Sequence, residues 1–269
     1  MYTAVRVWAF LLLSCVTVNA GLIADFDGYK SERELRKYLF DEYDKLVRPV
    51  MIPSNKINVS AGITPLSIRE VDETNQLIVL DSWIKMNWND EYLKWDPSKF
   101  GNVTVLRVPS TEVWRPDLSI YTAVPVENIF PRPLSQVLIY NDGTVFWVPP
   151  VTIKSRCPLF NRAPKNAIKC NIRMGSWTYS DKEMDVYLSS PEVDVSDFID
   201  NNAEWKLMEA RASRESKHYS CCKEAYPLLH FNVTLKRRKP FSENELLIPE
   251  DSGLDPVELG KMKKIIETD

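Results

Sequence analysis

Val137-Leu138-Ile139-Tyr140-Asn141-Asp142-Gly143-Thr144-Val145-Phe146-Trp147-Val148 is the stretch that sets the fold class. Two runs of β-branched and aromatic residues flank Asn-Asp-Gly, a β-hairpin signature. On its N-terminal side, Leu77 to Trp88 begins apolar and then alternates, which predicts another strand. On its C-terminal side, strands are predicted at 168–177, 183–189, 204–211 and 228–237. Turn residues separate these runs at intervals typical of a β-sandwich. Nearer the N-terminus, Ser31 precedes Leu35, Tyr38, Leu39, Tyr43 and Leu46, spaced as on one helix face, and Pro49 ends the run. With only 8 glycines and no long low-complexity segment, the sequence predicts one mainly β domain without internal repeats.

Residues 1–20 have the form of a secretory signal peptide: Arg6, an apolar core from Val7 to Leu13, and small residues at Val18-Asn19-Ala20. The alternative, a membrane anchor, is disfavoured because the apolar run is short for a bilayer. Cleavage before Gly21 would take the 34 basic residues to 33 against 37 acidic, a mature net charge of about −4. No basic domain stands out, so a nucleic-acid partner has little support. No later stretch reaches the ~18 apolar residues of a membrane span. Sequons at Asn58, Asn102 and Asn232 suit a secreted, glycosylated protein. The tail, 241–269, is charged. Asp255 could cap a short helix carrying Leu259, Met262, Ile265 and Ile266, either a frayed amphipathic end or an assembly element.

Without Cys15, four cysteines remain: Cys157, Cys170, Cys221 and Cys222. In an oxidising compartment an even count reads as two disulfides. Three connectivities are open, and local spacing favours Cys157 with Cys170 and Cys221 with Cys222. Adjacent Cα atoms sit ~3.8 Å apart, below the ~4.4–6.8 Å of ordinary disulfides. A Cys221–Cys222 bond would therefore close a small strained ring with almost no loop-closure stabilisation. Its use would be local: a stiff apolar tip with Tyr219 and Tyr226 on either side, on a loop that closes over a ligand. The competing possibility is two free or metal-binding thiols.

Enzyme signals are poor. GxSxG, HExxH, GxGxxG and P-loop patterns are absent, and the two histidines, His218 and His230, lack metal-ligand spacing. The carboxylates Asp194, Asp197 and Asp200 have the spacing of a solvated polar loop. No enzyme activity, metal or cofactor is expected. Aromatics, by contrast, are placed beside polar residues: Trp83, Trp114, Tyr121, Trp177, Tyr179, Tyr219 and Tyr226. One tryptophan by default packs in a core. Several that converge can cage an organic ammonium ion by cation–π attraction.

Together these residues resemble the Cys-loop ligand-gated receptors, specifically the nicotinic acetylcholine receptor extracellular domain, over most of 30–240. Trp114-Arg115-Pro116-Asp117-Leu118-Ser119-Ile120-Tyr121 is similar to the family's first binding loop, and Gly175-Ser176-Trp177-Thr178-Tyr179 to the second. Tyr219-Ser220-Cys221-Cys222-Lys223-Glu224-Ala225-Tyr226 is similar to the third. Trp83 to Asp90 resembles the complementary face, to which Leu138, Phe146 and Val148 would add apolar contacts. Cys157 and Cys170 enclose twelve residues where receptor subunits have thirteen, without the apolar Phe-Pro-Phe-Asp core, and no channel segment follows Pro240. In these features the chain resembles the soluble acetylcholine-binding proteins. Where the family has an acid and a lysine, this chain has Leu228 and Arg173.

The resemblance implies an N-terminal helix and a ten-stranded β-sandwich, with 21–240 as the ligand-binding domain, assembled as a secreted homopentamer without a membrane span. The principal face would be Tyr121, Trp177, Tyr219, Cys221, Cys222 and Tyr226, and the complementary face Trp83, Leu138, Phe146 and Val148. The implied ligand is a cationic amine, acetylcholine or nicotine-like. The alternatives are a channel-less ring that binds a non-cholinergic amphipathic ligand, and a truncated channel ectodomain.

Overall fold

The computed structural model describes residues 31–124, 135–158 and 167–238. The signal segment 1–20, the 159–166 part of the cysteine loop and the tail helix expected after Asp255 lie outside them. Residues 31–40 form helix α1, with Leu35 and Leu39 buried. The helix stops short of the Pro49 expected from sequence. After Asp41, whose N–H donates to the Lys37 carbonyl at 3.1 Å, the Asp44 carboxylate accepts the Leu46 N–H at 2.9 Å and turns the chain. Leu46, expected on the helix face, is 82% exposed.

Eleven strand segments follow: β1 (Ile57–Asp72), β2 (Leu77–Asn89), β3 (Val105–Pro109), β4 (Leu118–Ile120), β5 (Gln136–Tyr140), β6 (Thr144–Trp147), β7 (Pro150–Arg156), β8 (Ala167–Ser176), β9 (Met184–Leu188), β10 (Trp205–His218) and β11 (Ala225–Arg237). β6 and β7 both pair with β2 and are separated only by Val148-Pro149, so they are two halves of one strand. Counted that way, the eleven segments are the ten expected strands. One sheet runs β3-β5-β6-β2-β1-β9, with β7 also on β2, and the other runs β10-β11-β8-β4. The core lies between them. It includes Ile63, Ile84, Met86 and Val145 from the larger sheet and Ile172, Met174, Leu229 and Phe231 from the smaller.

The hairpin quoted at the outset is β5–β6, with Leu138 opposite Phe146 and Ile139 opposite Val145. Its turn needs Gly143, which has φ 86°. A Cβ there would lie 2.4 Å from the Asp90 carbonyl oxygen. Cys157, just after β7, is bonded to Cys170 in β8, so this disulfide staples the two sheets (Cα–Cα 4.8 Å).

β10 and β11 are longer than sequence predicted and pair as far as His218 opposite Ala225. β11 meets β8 only from Leu228 onward. The last pairs of the β10–β11 hairpin therefore project beyond β8 as a two-stranded arm. Pro227 sits where that change occurs, at a position with no β8 partner for the N–H it lacks.

Candidate ligand-binding site

Four aromatic rings gather at one end of the four-stranded sheet. Tyr121 leaves β4, Trp177 leaves β8, and Tyr219 and Tyr226 flank the tip of the β10–β11 arm. Tyr121 and Trp177 pack edge to face, with centroids 5.7 Å apart and planes at 88°. Tyr219 and Tyr226 form a second such pair at 5.7 Å and 75°. Burial pushes the Tyr121 phenol up to about 12, with Tyr219, Asp117 and Tyr226 adding to the shift. The four rings thus share one electrostatic neighbourhood. Trp177 is 70% exposed, an unusual state for an indole in a monomer.

Asp117 builds the turn that presents Trp177. Its Oδ1 accepts from the Ser176 hydroxyl at 2.6 Å, and its Oδ2 accepts from the Thr178 N–H at 2.8 Å and the Thr178 hydroxyl at 2.6 Å. Ser176 Oγ in turn accepts the Tyr179 N–H at 2.8 Å. The Tyr121 hydroxyl donates to the Ser176 carbonyl. Gly175 lets these strands close up: a Cβ on it would lie 2.8 Å from the Pro227 carbonyl oxygen and 3.5 Å from the Tyr121 hydroxyl. Asp117 and Gly175 lie in the two stretches similar to the family's binding loops but were assigned to neither face from sequence. The signal for Asp117 was its place in Trp114-Arg115-Pro116-Asp117, where an acid after proline can accept hydrogen bonds from a neighbouring turn.

At the arm's tip Cys221 and Cys222 stand as adjacent thiols, and the bond expected between them is not made in this structure. Their Cα atoms are too close for an unstrained disulfide. The Cys221 thiol is held above its ordinary value by its hydrogen bond with Cys222, and Tyr226 is raised mainly by its own bond to Cys222. The Lys217 ammonium lies 5.1 Å from the Tyr219 ring centroid, a cation–π contact within the chain. Leu228 is 1% exposed. Arg173 lies near enough to draw the Tyr219 phenol down against the burial that raises it. Trp114 does not join the cage: it is buried and packs edge to face on Trp88, with centroids 6.0 Å apart.

Trp83, Leu138, Phe146 and Val148 are half-buried and lie on the other sheet. Trp83 alternates with buried Ser82 and Ile84, so it faces outward. Phe146 pairs with Asn87 and Leu138, which puts all of these on the same outward face. One chain therefore carries the two residue sets on two different sheets.

A family model described as the neurotransmitter-gated ion-channel ligand binding domain matches residues 32–239. The chain belongs to this family. Neuronal acetylcholine receptor subunit alpha-2 of Rattus norvegicus is 33% identical over 250 residues, covering 92% of this chain and 48% of the relative. Acetylcholine receptor subunit alpha-type acr-16 of Caenorhabditis elegans is 33% identical over 240 residues, 89% and 47% of the two chains. Neuronal acetylcholine receptor subunit alpha-5 of Homo sapiens is 35% identical over 221 residues, 82% and 46%. The chain spans about half the length of the curated relatives it matches. Among the described residues no helix is long and apolar enough to cross a membrane. Among those same residues no group of three or more His, Cys, Asp or Glu could hold a metal ion.

Proposed function

We propose that this protein is a secreted binding module, not an enzyme, that reversibly captures acetylcholine-like or nicotine-like ammonium ions at the contacts of a homopentamer. The observation that carries this is the pair of edge-to-face aromatic couples, Tyr121–Trp177 and Tyr219–Tyr226, beside an indole left largely exposed. Each ring offers a cation ~0.5–1 kcal/mol when exposed and ~2 or more when desolvated. Trp83, Leu138, Phe146 and Val148 of a neighbouring copy would supply the missing wall by a heterologous contact that closes into a ring. The names of the relatives, all acetylcholine receptor subunits, support an amine of that class.

Under this proposal residues 1–20 are removed, 21–240 form the binding domain, and 241–269 are an appended tail. Asn58, Asn102 and Asn232, all exposed, are then available to glycans. In an oxidising compartment Cys221 and Cys222 join to stiffen the loop tip. The test is calorimetric titration of the purified protein with acetylcholine. Saturable heat near one ligand per chain is expected, and Trp177→Ala should abolish it while the oligomer persists. Full affinity in that variant would refute the assignment.

A second reading also has support in the structure. Lys217 already occupies the face of Tyr219, and the position where the family has an acid is the buried, apolar Leu228. Both suit a ring whose ligand is amphipathic and not cholinergic. A pentamer that is silent to acetylcholine and binds an uncharged amphiphile would support it.

A further inference from the structure

The chain carries a net charge of −3, yet its cations are not spread evenly. On the outward face of the four-stranded sheet, Lys169 and Arg173 of β8 alternate with buried Cys170, Ile172 and Met174. Lys206 of β10 lies directly opposite Lys236 of β11, and Arg211 lies opposite Asn232. Lys236 and Asn232 alternate with buried Val233 and Leu235. Residues opposed across an antiparallel pair project to one side, so all five cations share this face. The register shift between Leu207 and Glu209 makes that possible. Its extra residue re-phases β10, so Lys206 and Arg211, five positions apart, project the same way.

Two acids share the face, and both are engaged. Glu209 pairs with Arg211 at 2.5 Å, and Glu215 meets the His230 ring at 3.2 Å. Among the described residues, Lys169, Arg173, Lys206 and Lys236 have no carboxylate within ion-pair distance. Like charges set directly opposite each other, as Lys206 and Lys236 are, cost stability. The face thus lacks counter-charge of its own. It extends over six residues of β11, from Lys236 to His230, about 20 Å. The paired positions among the cations are Asn171, Ser213, Asn232 and Thr234. Their amides and hydroxyls suit sugar oxygens, and these positions offer neither rings for stacking on bases nor apolar anchors for a bilayer.

We propose that the outward face of the β10-β11-β8 sheet is a docking surface for a sulfated polysaccharide. An extended polyanion supplies the charge that the Lys206–Lys236 pair lacks and reaches Lys169, Arg211 and Arg173 along the strands. The face is separate from the aromatic rings, which lie past Leu228 on the arm and at the strand ends. Asn232 stands among the cations, so a glycan attached there would mask them.

The experiment measures binding of the full chain, freed enzymatically of N-glycans, to immobilised heparin over a series of salt concentrations. The unaltered protein should bind despite its net negative charge, and should release steeply as salt rises. Lys169→Gln, Lys206→Gln and Lys236→Gln together should weaken binding about tenfold. Lys37→Gln, Lys94→Gln and Lys99→Gln together, equal in charge but placed on α1 and after β2, should leave it unchanged. Lys206→Glu should weaken binding while raising the melting midpoint by about 1–2 °C, because it turns a repulsive pair into an attractive one. Weaker binding by a more stable protein cannot be misfolding. Equal weakening by the two triple variants, or no binding by the unaltered protein, overturns the proposal. Binding as tight to phosphatidylserine vesicles or to single-stranded DNA overturns it as well.

Discussion

Asp117→Ala is the perturbation that most directly tests how the cage is held. The carboxylate accepts three short hydrogen bonds from Ser176 and Thr178, the residues on either side of Trp177. Hydrogen bonds to a charged group contribute ~1.5–3 kcal/mol each when shielded. Asp117 is only half-buried, so water replaces part of what is lost, and about 2 kcal/mol is a reasonable net loss for the set. If that loss falls on the geometry of Trp177, acetylcholine should bind roughly thirtyfold more weakly. Asp117→Asn keeps one acceptor and turns an NH2 toward the Thr178 donors, so it should fall between the two. The assay is calorimetric affinity for both variants, with thermal unfolding on the same samples. A variant that binds within twofold of the unaltered protein would refute the idea that Asp117 positions the indole. Lowered melting with unchanged affinity would make Asp117 a stability residue only.

Other outcomes follow from the same geometry. Burial pushes the Asp90 carboxyl up to about 6 from 3.8, and Asp90 accepts the Tyr43 hydroxyl at 2.6 Å. A raised folded-state value makes its contribution full below about pH 4 and lost as pH rises through about 6. Urea unfolding should therefore show Asp90→Asn gaining about 3 kcal/mol on the unaltered protein between pH 4 and 7, and a constant difference would contradict the buried, proton-linked role. Gly175→Ala should cost ~1–3 kcal/mol in melting experiments and disturb Tyr121, because its methyl meets the Pro227 carbonyl oxygen at 2.8 Å. Cys157→Ser should cost about 3 kcal/mol by releasing the staple between the sheets, and an unshifted denaturation midpoint would show that the bond constrains little. Intact mass after alkylation without reduction should show Cys221 and Cys222 unlabelled in secreted protein; two added labels would mean that the pair stays as thiols.

The β-sandwich was legible because its signal is local. Alternation in Leu77 to Trp88 and the Asn141-Asp142-Gly143 turn each specify pairing over a few residues, and both appear in the structure. The helix end was not legible. Tyr43 and Leu46 keep the helical spacing, yet Tyr43 spends its hydroxyl on Asp90, far along the chain, and its oxygen accepts the Trp114 N–H at 2.9 Å. Tertiary bonds of that kind leave no periodic trace. The rings of the cage were legible as residue types, but their convergence depends on Asp117 and Gly175. Those two act through a carboxylate's reach and a missing Cβ, and neither effect has a hydropathy pattern. Trp114 shows the converse: it sits beside the binding stretch in sequence and packs in the core in space.

The four rings of the proposed cage are divided between strand ends of the sandwich and the projecting arm. Tyr121 and Trp177 belong to strand ends tied to the core through Asp117 and the Ser176 carbonyl. Tyr219 and Tyr226 ride on an arm that has lost its β8 neighbour; besides the β10–β11 ladder, the Asp181 N–H holds it at the Ala225 carbonyl (2.9 Å) and Lys182 lies 4.0 Å from Glu224. Two-stranded ribbons are marginal in water. Moving the arm would break these few contacts and leave the β8–β11 ladder intact, which begins at Leu228 just after Pro227. An arm closed over a ligand would cover Trp177, now 70% exposed, and would strengthen each cation–π contact by removing water. The same closure costs the entropy of ordering the arm. A tip made rigid by joining Cys221 to Cys222 lowers that cost, which gives a strained bond of little value to folding a role in binding.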